Sequence, residues 1–150
     1  YTKGDIIRPQ YISADAVIER SIISEGAEIY GEVHNSVIGA GVTIKEGTVV
    51  RDSIIMKETV IGSGCTIDRS IIAENVTVGD SVVLGVGEEA PNVLKPAVYG
   101  FGLVTVGENA VIPSNVKIGK NTAISGVTTA EDYPNGELAS GGAIVKKDGE

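Results

Sequence analysis

A chain of 150 residues has the size of one domain. Its net charge of −8 argues against nucleic acid or an anionic membrane as partner, though a local cluster could still hold a small anion. With 20 glycines, five tyrosines, one phenylalanine and no tryptophan, the core is expected to be narrow and built from β-branched side chains instead of rings. A single cysteine, Cys65, excludes an internal disulfide framework and fits a reducing compartment. No apolar run approaches the ~20 residues of a membrane span and no signal-peptide pattern opens the sequence, which predicts a cytoplasmic protein.

Tyr1 to Tyr11, YTKGDIIRPQY, has no periodicity. Pro9 removes a backbone donor and biases Arg8 towards an extended shape, so residues 1–11 read as a linker leaving something upstream. From Ile12 an aliphatic residue returns at six-residue spacing: Ile12 and Ile18, then Ile23 and Ile29. The step from Ile23 to Ile38 is two residues short of the later repeat and irregular around Tyr30-Gly31. Three regular copies follow, headed by Ser36, Ser53 and Ser70, with anchors Ile38, Ile44 and Val50, then Ile55, Ile61 and Ile67, then Ile72, Val78 and Leu84.

Four residues after most anchors stands a small or β-branched residue, among them Ala27, Val42, Thr48, Thr59, Cys65 and Val76. The even offset sets both on one side of an extended segment. Glycines just after the anchors (Gly39, Gly62, Gly79) or three on (Gly26, Gly41, Gly47, Gly64) are expected to supply permissive backbone at corners. Three short faces joined by corners make a triangular prism, an all-β, left-handed parallel β-helix of hexapeptide repeats, whose interior should exclude a ring. The handedness comes from the hexad motif, since the general crossover rule runs the other way.

Gly85 to Leu103, GVGEEAPNVLKPAVYGFGL, breaks the rhythm and reads as a loop inserted at a corner. The hexads resume at Val106, Ile112, Ile118 and Ile124. The β-helix is thus expected over 12–130, and 131–150 is expected to be a tail with a turn at Pro134-Asn135-Gly136 and a short strand near Gly142–Val145.

Chemistry is sparse. His34 is the only histidine, and as a general base it would make the chain a hexapeptide acyltransferase, with the 85–103 loop as acceptor-binding arm; the simpler reading is a surface or corner residue. One histidine and one cysteine leave no zinc set, and Cys65 falls in an inward slot with no base beside it. Gly39-Ala40-Gly41 and Gly62-Ser63-Gly64 lack the Lys-Ser/Thr of a phosphate loop and read as corners. The acidic residues, Glu25, Glu46, Asp52, Glu58, Asp68, Glu74 and Asp80, read as solvated surface. No catalytic, cofactor-binding or metal-ligating residue is therefore assigned. Arg8, Arg51, Arg69 and Lys95, with Tyr99 in the inserted loop, are the candidate contacts to a small anionic effector or to a neighbouring subunit.

The runs YTKGDIIRPQYIS, SIISEGAEIYGEVHNSVIGAGVTIKEGTVVRDSIIM and VIGSGCTIDRSIIAENVTVGDSVVLG, with GLVTVGENAVIPSNVKIG further on, resemble the C-terminal domain of bacterial glucose-1-phosphate adenylyltransferases. The Ser-Ile/Val-Ile coil heads, Met56, and the Ile29-Tyr30-Gly31-Glu32-Val33 break carry the specific part. The resemblance implies a parent enzyme that forms ADP-glucose and pyrophosphate from ATP and glucose 1-phosphate with Mg²⁺ for glycogen synthesis. It further implies a separate N-terminal catalytic domain as the module's own partner, a homotetramer, and a share in an allosteric effector site near the domain junction. The G-x-G-T-x-L sequence and acidic metal ligands of the catalytic domain are not in this chain, so the chain by itself is expected to be inactive and to need no cofactor. Glu74 stands where some members of the family carry a basic residue, so effector contacts do not transfer position by position.

Overall fold

A computed structural model describes residues 11–86 and 102–146. Strands of two to four residues follow one another around a triangular path. The first coil holds β1 (Tyr11–Ile12), β2 (Val17–Glu19) and β3 (Ile22–Ile23), and the second β4 (Glu28–Ile29), β5 (Glu32–His34) and β6 (Val37–Ile38). The third holds β7 (Thr43–Ile44), β8 (Val49–Arg51) and β9 (Ile54–Ile55), and the fourth β10 (Val60–Ile61), β11 (Thr66–Asp68) and β12 (Ser70–Ile72). The fifth has β13 (Thr77–Val78), β14 (Val83–Val86) and β15 (Val104–Val106), and the sixth β16 (Val111–Ile112), β17 (Lys117–Gly119) and β18 (Thr122–Ser125). Two 3₁₀ turns, Ala130–Asp132 and Pro134–Gly136, lead to β19 (Glu137–Leu138) and β20 (Ala143–Val145).

All pairings are parallel and each strand pairs with its equivalent one coil away, giving three sheets. Face one runs β1-β4-β7-β10-β13-β16; face two runs from β2 to β19 and face three from β3 to β20. The register stacks like on like. Face one aligns Ile12, Ile29, Ile44, Ile61, Val78 and Ile112. Face two aligns Ile18, Val33, Val50, Ile67, Leu84, Ile118 and Leu138. Face three aligns Ile23, Ile38, Ile55, Ile72, Val106, Ile124 and Ile144. From the second coil to the sixth these anchors are buried, and together they form the core. A parallel sheet normally needs cover on both faces; here each sheet has its inner face covered by the other two. The small or β-branched residues four after most anchors, among them Ala27, Val42, Thr59, Cys65, Val76 and Thr128, are buried as expected, filling the corners from inside.

Polar residues inside the prism are spent on backbone. The Ser36 hydroxyl donates to the His34 carbonyl (2.8 Å) and accepts from the Ser53 amide (3.1 Å). The Ser53 hydroxyl donates to the Arg51 carbonyl (2.6 Å) and accepts from the Ser70 amide (3.1 Å). A serine heads each of these three coils because the two ends of a hydroxyl satisfy a carbonyl and an amide that the corner takes out of the sheet ladder. Thr59 does the same at another corner, between the Ala73 carbonyl and the Val76 amide. Ser53→Ala leaves the Ser70 amide without its acceptor in a buried position, so a loss of about 1–3 kcal/mol in unfolding free energy is expected by denaturant titration.

Four sequence readings are corrected. Gly39, Gly62 and Gly79 are not left-handed; they are glycine because the next coil passes too close, and a Cβ on Gly39 would lie 2.7 Å from the Lys57 nitrogen. The left-handed corners are shared by glycine (Gly26, Gly41, Gly47, Gly64) with residues that carry side chains, including Arg20, Asn35, Asp52 and Arg69. A ring does enter the core: Tyr133 is 2% exposed. Past β16 face one continues only as an isolated parallel bridge, Val127 beside Val111, and the Tyr133 ring joins the core at this end of the stack. The Thr128 hydroxyl donates to the Val111 carbonyl (2.6 Å) and receives the Tyr133 hydroxyl (2.8 Å); burial pushes the phenol pKa up. The residues after Ala130 also add to the stack, since β19 and β20 extend faces two and three. Gly85 and Val86, read as loop, belong to β14.

This end is pinned by Lys146, whose ammonium lies 2.6 Å from the Asp132 carboxylate. The hydrogen bond from Lys146, and then that from the Thr129 amide, hold the Asp132 carboxyl below its ordinary value of 3.8. A depressed pKa contributes stability that is present above the unfolded value and lost as pH falls through the folded one. Thermal melts of the native chain should therefore fall more steeply below about pH 4 than those of Asp132→Asn, whose stability lacks this acid-sensitive contribution.

Candidate functional site

The corner between faces two and three gathers most of what the surface offers. Just before it, in register along face two, stand Glu19, His34, Arg51 and Asp68. At the corner itself stand Arg20, Asn35, Asp52 and Arg69, all left-handed, with φ between 46° and 49°. The Asn35 amide donates to the Asp52 carboxylate at 2.8 Å, and the Arg69 amide donates to the Arg51 carbonyl at 3.1 Å, so neighbouring coils are tied here through both side chains and backbone. The same corner of the fifth coil receives the inserted segment, between β14 and β15. Its returning end is fixed where the Gly102 amide donates to the Asn121 side-chain oxygen at 2.7 Å and the Val104 amide to the Arg69 carbonyl at 3.1 Å.

Beyond the corner a shallow groove of about 500 Å³ runs over face three. Arg69, Asn35 and Asp52 form its polar edge, and Val37, Ile54 and Leu103 its apolar floor. Of the five candidate contacts, Arg69 lines this groove and Arg51 lies exposed beside it on β8. Neither forms an ion pair with any described residue. Arg8, Lys95 and Tyr99 lie outside the described residues.

His34 sits between two carboxylates, with Nδ1 3.4 Å from Glu19 and Nε2 3.4 Å from Glu32, and lines neither of the two recesses described. Its surroundings are those of a histidine bridging two coils. Cys65 is buried, its thiol 3.1 Å from the Gly79 carbonyl oxygen, and burial raises its pKa, which leaves it a poor nucleophile. Among the described residues no group of three or more His, Cys, Asp or Glu side chains is placed to hold a metal ion, and no helix is long and apolar enough to cross a membrane.

A second recess, of about 320 Å³, opens where the short second coil passes from β4 to β5 without the corner its neighbours have. Gly31 makes that shortcut, and a Cβ there would run into the Thr48 carbonyl. Asp15, Glu32 and Glu46 line the recess with Tyr30. Desolvation, then Glu28, Tyr11 and Glu46, push the Tyr30 phenol pKa up. An anion is disfavoured there, which leaves the groove beside Arg69 as the better place for one.

Two features of this surface were not read from the sequence. The coil heads Ile22-Ile23, Val37-Ile38, Ile54-Ile55 and Ile71-Ile72 each carry two adjacent aliphatics, and in a strand only one of them can point inward. The inward member is the anchor. The outward one builds the floor of the groove, and the doublets were its signal. The recess at Gly31 comes from the two-residue deficit, which marked an irregular coil without saying that it would open a cavity.

Fold and surface together define a hexapeptide-repeat β-helix whose inner residues are used for packing. The chain belongs to the GlmU-like, C-terminal hexapeptide family, whose model matches residues 10–106. It is 66% identical over 146 residues to a glucose-1-phosphate adenylyltransferase from Lachnospira eligens, covering 97% of this chain and 34% of that protein. It is 42% identical to the enzyme of the same name from Acetivibrio thermocellus, again over 97% of this chain and 34% of the other. The chain thus spans about a third of the length of the curated relatives it matches. Among solved structures, the acetyltransferase domain of PglB from Neisseria gonorrhoeae superposes over 97% of this chain and 54% of its own, with a TM-score of 0.54 and 15% identity, a likeness of fold alone.

Proposed function

We propose that this chain is the oligomerisation and allosteric-regulatory module of a glucose-1-phosphate adenylyltransferase, a cytoplasmic enzyme that converts ATP and glucose 1-phosphate to ADP-glucose and pyrophosphate for glycogen synthesis. The observation that carries this reading is the 66% identity extending over 97% of the chain, since hexad anchors alone are common to many β-helices. The chemistry, with ATP and Mg²⁺, belongs to a nucleotide-binding domain preceding this module in the parent chain. What the module supplies is a stiff prism: nearest-neighbour stacking makes every coil a fixed platform for the next. Arg51 and Arg69, held on adjacent coils with no anionic partner among the described residues, are available for an anionic effector; Arg8, Lys95 and Tyr99 complete that proposed set. The proposed assembly is a homotetramer.

Sedimentation of the full-length enzyme with and without this module, together with its response to sugar-phosphate and nucleotide effectors, tests the proposal. Loss of both the tetramer and the effector response on removing the module is the expected outcome. A truncated enzyme that stays tetrameric and fully responsive overturns it.

A further inference from the structure

The first coil is held from one side. Its strands β1, β2 and β3 are edges of the three sheets, and two of its aliphatics, Ile12 and Ile22, are 45% and 66% exposed. In a stack of coils an end coil has a single interface, so whatever changes that interface changes its attachment in full. Backbone bonds cross it: the Val17 amide donates to the Gly31 carbonyl (3.2 Å), the Ile22 amide to the Ser36 carbonyl (3.0 Å) and the Asn35 amide to the Glu19 carbonyl (2.9 Å). Side-chain contacts add to these. The Ser36 amide donates to the Ser21 hydroxyl (3.1 Å), the Tyr11 and Tyr30 rings lie 5.5 Å apart, and His34 reaches Glu19 (3.4 Å).

His34 differs from the others in having a carboxylate at each ring nitrogen. Nδ1 faces Glu19 of the first coil, across the interface, and Nε2 faces Glu32 on its own strand, both at 3.4 Å. A neutral imidazole has one N–H and one lone pair, so it donates to one of these carboxylates and turns a lone pair towards the other. Only the imidazolium donates to both. The remaining charges around the ring are Arg20, next to Glu19 at the corner of the first coil, Arg51, in register with His34 on the third coil, and Asp52, whose carboxylate accepts from Asn35. Arg51 opposes a positive ring, but it is exposed, forms no ion pair with either glutamate, and has Asp68 as its other neighbour in register. Two carboxylates in contact with the ring outweigh one solvated guanidinium.

We propose that His34 is a pH-sensitive latch between the first and second coils. As the imidazolium it donates to Glu19 and Glu32 together and holds the end coil down. As the neutral imidazole it keeps one donor, so the two carboxylates compete for it and the tie across the interface weakens. Histidine is the side chain that ordinarily changes charge between pH 5 and 8, and this sequence holds a single histidine. Cys65, whose thiol could otherwise come near that range, has its pKa raised by burial. The contact is complete with the ring charged, so its stabilising share is present at low pH and lost as pH rises. The first coil is where the chain enters the prism, and the latch sets how firmly that entry is fixed as pH changes.

Hydrogen exchange at the Val17, Ile22 and Asn35 amides of residues 1–150 tests this, with each rate divided by the intrinsic rate at the same pH. Expected is protection about two- to fivefold greater at pH 5.5 than at pH 8, the size of an exposed ion pair. His34→Gln, which donates without titrating, should lower the pH 5.5 value and leave no difference between the two pH values. Glu19→Gln should flatten the dependence as well, because the partner across the interface loses its charge. Equal protection at the two pH values in the native chain overturns the inference. So does a pH dependence that survives in His34→Gln, or one that is lost there but kept in Glu19→Gln. A fall in protection of the same size at both pH values in both variants marks a purely structural contact and overturns it too.

Discussion

Replacing Ile61 by alanine is expected to lower the unfolding free energy by about 2–5 kcal/mol. Ile61 is fully buried on face one, in register with Ile44 below and Val78 above. The strands carrying those neighbours are held at a fixed spacing by backbone hydrogen bonds: the Lys45 amide donates to the Ile61 carbonyl, and the Gly62 amide to the Val78 carbonyl. The coils cannot close in on the space three missing carbons leave, so most of the cavity persists. In a stack whose stability is a sum of neighbour terms, a mid-stack lesion weakens both adjoining interfaces. The melting temperature should fall by on the order of 10 °C. Val60→Ala, on the outward side of the same strand and only partly buried, should cost clearly less. Equal costs for the two variants would sink the inward assignment of Ile61.

The second large effect is an all-or-nothing one. Residues 1–150 supplied with ATP, glucose 1-phosphate and Mg²⁺ are expected to form no ADP-glucose above background in a coupled pyrophosphate assay, whereas the full-length chain turns over. The physical reason lies in how the polar residues are used. Ser36, Ser53, Ser70, Thr48 and Thr59 all have their hydroxyls committed to backbone carbonyls, and no buried side-chain polar atom among the described residues lacks a hydrogen-bond partner. Cys65 is enclosed, and His34 faces two carboxylates in place of a nucleophile or a substrate pocket. Nucleotidyl transfer needs charged groups arranged around a triphosphate. Turnover by the isolated chain would refute the division of labour proposed for the parent enzyme.

The two outcomes probe different levels of one argument. Ile61 tests whether the hexad period reports burial; the assay tests whether burial has used up the residues that could have been chemical. The hydroxyl ladder shows why the serine-headed repeats carry no reactivity. A hydroxyl between a carbonyl of its own coil and an amide of the next is structural by virtue of its position, whatever its intrinsic chemistry.

By itself the sequence determined the architecture. A six-residue return of Ile and Val fixes which side chain points inward, because a strand alternates and a three-sided coil must spend a set number of residues per face. Ile29, Ile44, Ile61 and Val78 could be placed in one column from spacing alone, and so could the inward slots of Thr48, Thr59 and Cys65. What only the tertiary structure decided depends on relations between coils, which no local pattern encodes. Gly39 and Gly62 are glycine because another coil passes close by, not because of their own backbone angles. Tyr133 is buried where face one thins to a single bridge at Val127 and Thr128 takes the phenol's hydrogen bond, although the composition had argued for a core without a ring. The groove beside Arg69 exists because Val37, Ile54 and Leu103, far apart in sequence, come together where the inserted segment returns to the corner. Periodicity specifies a column; a site is made where columns, corners and an insertion meet.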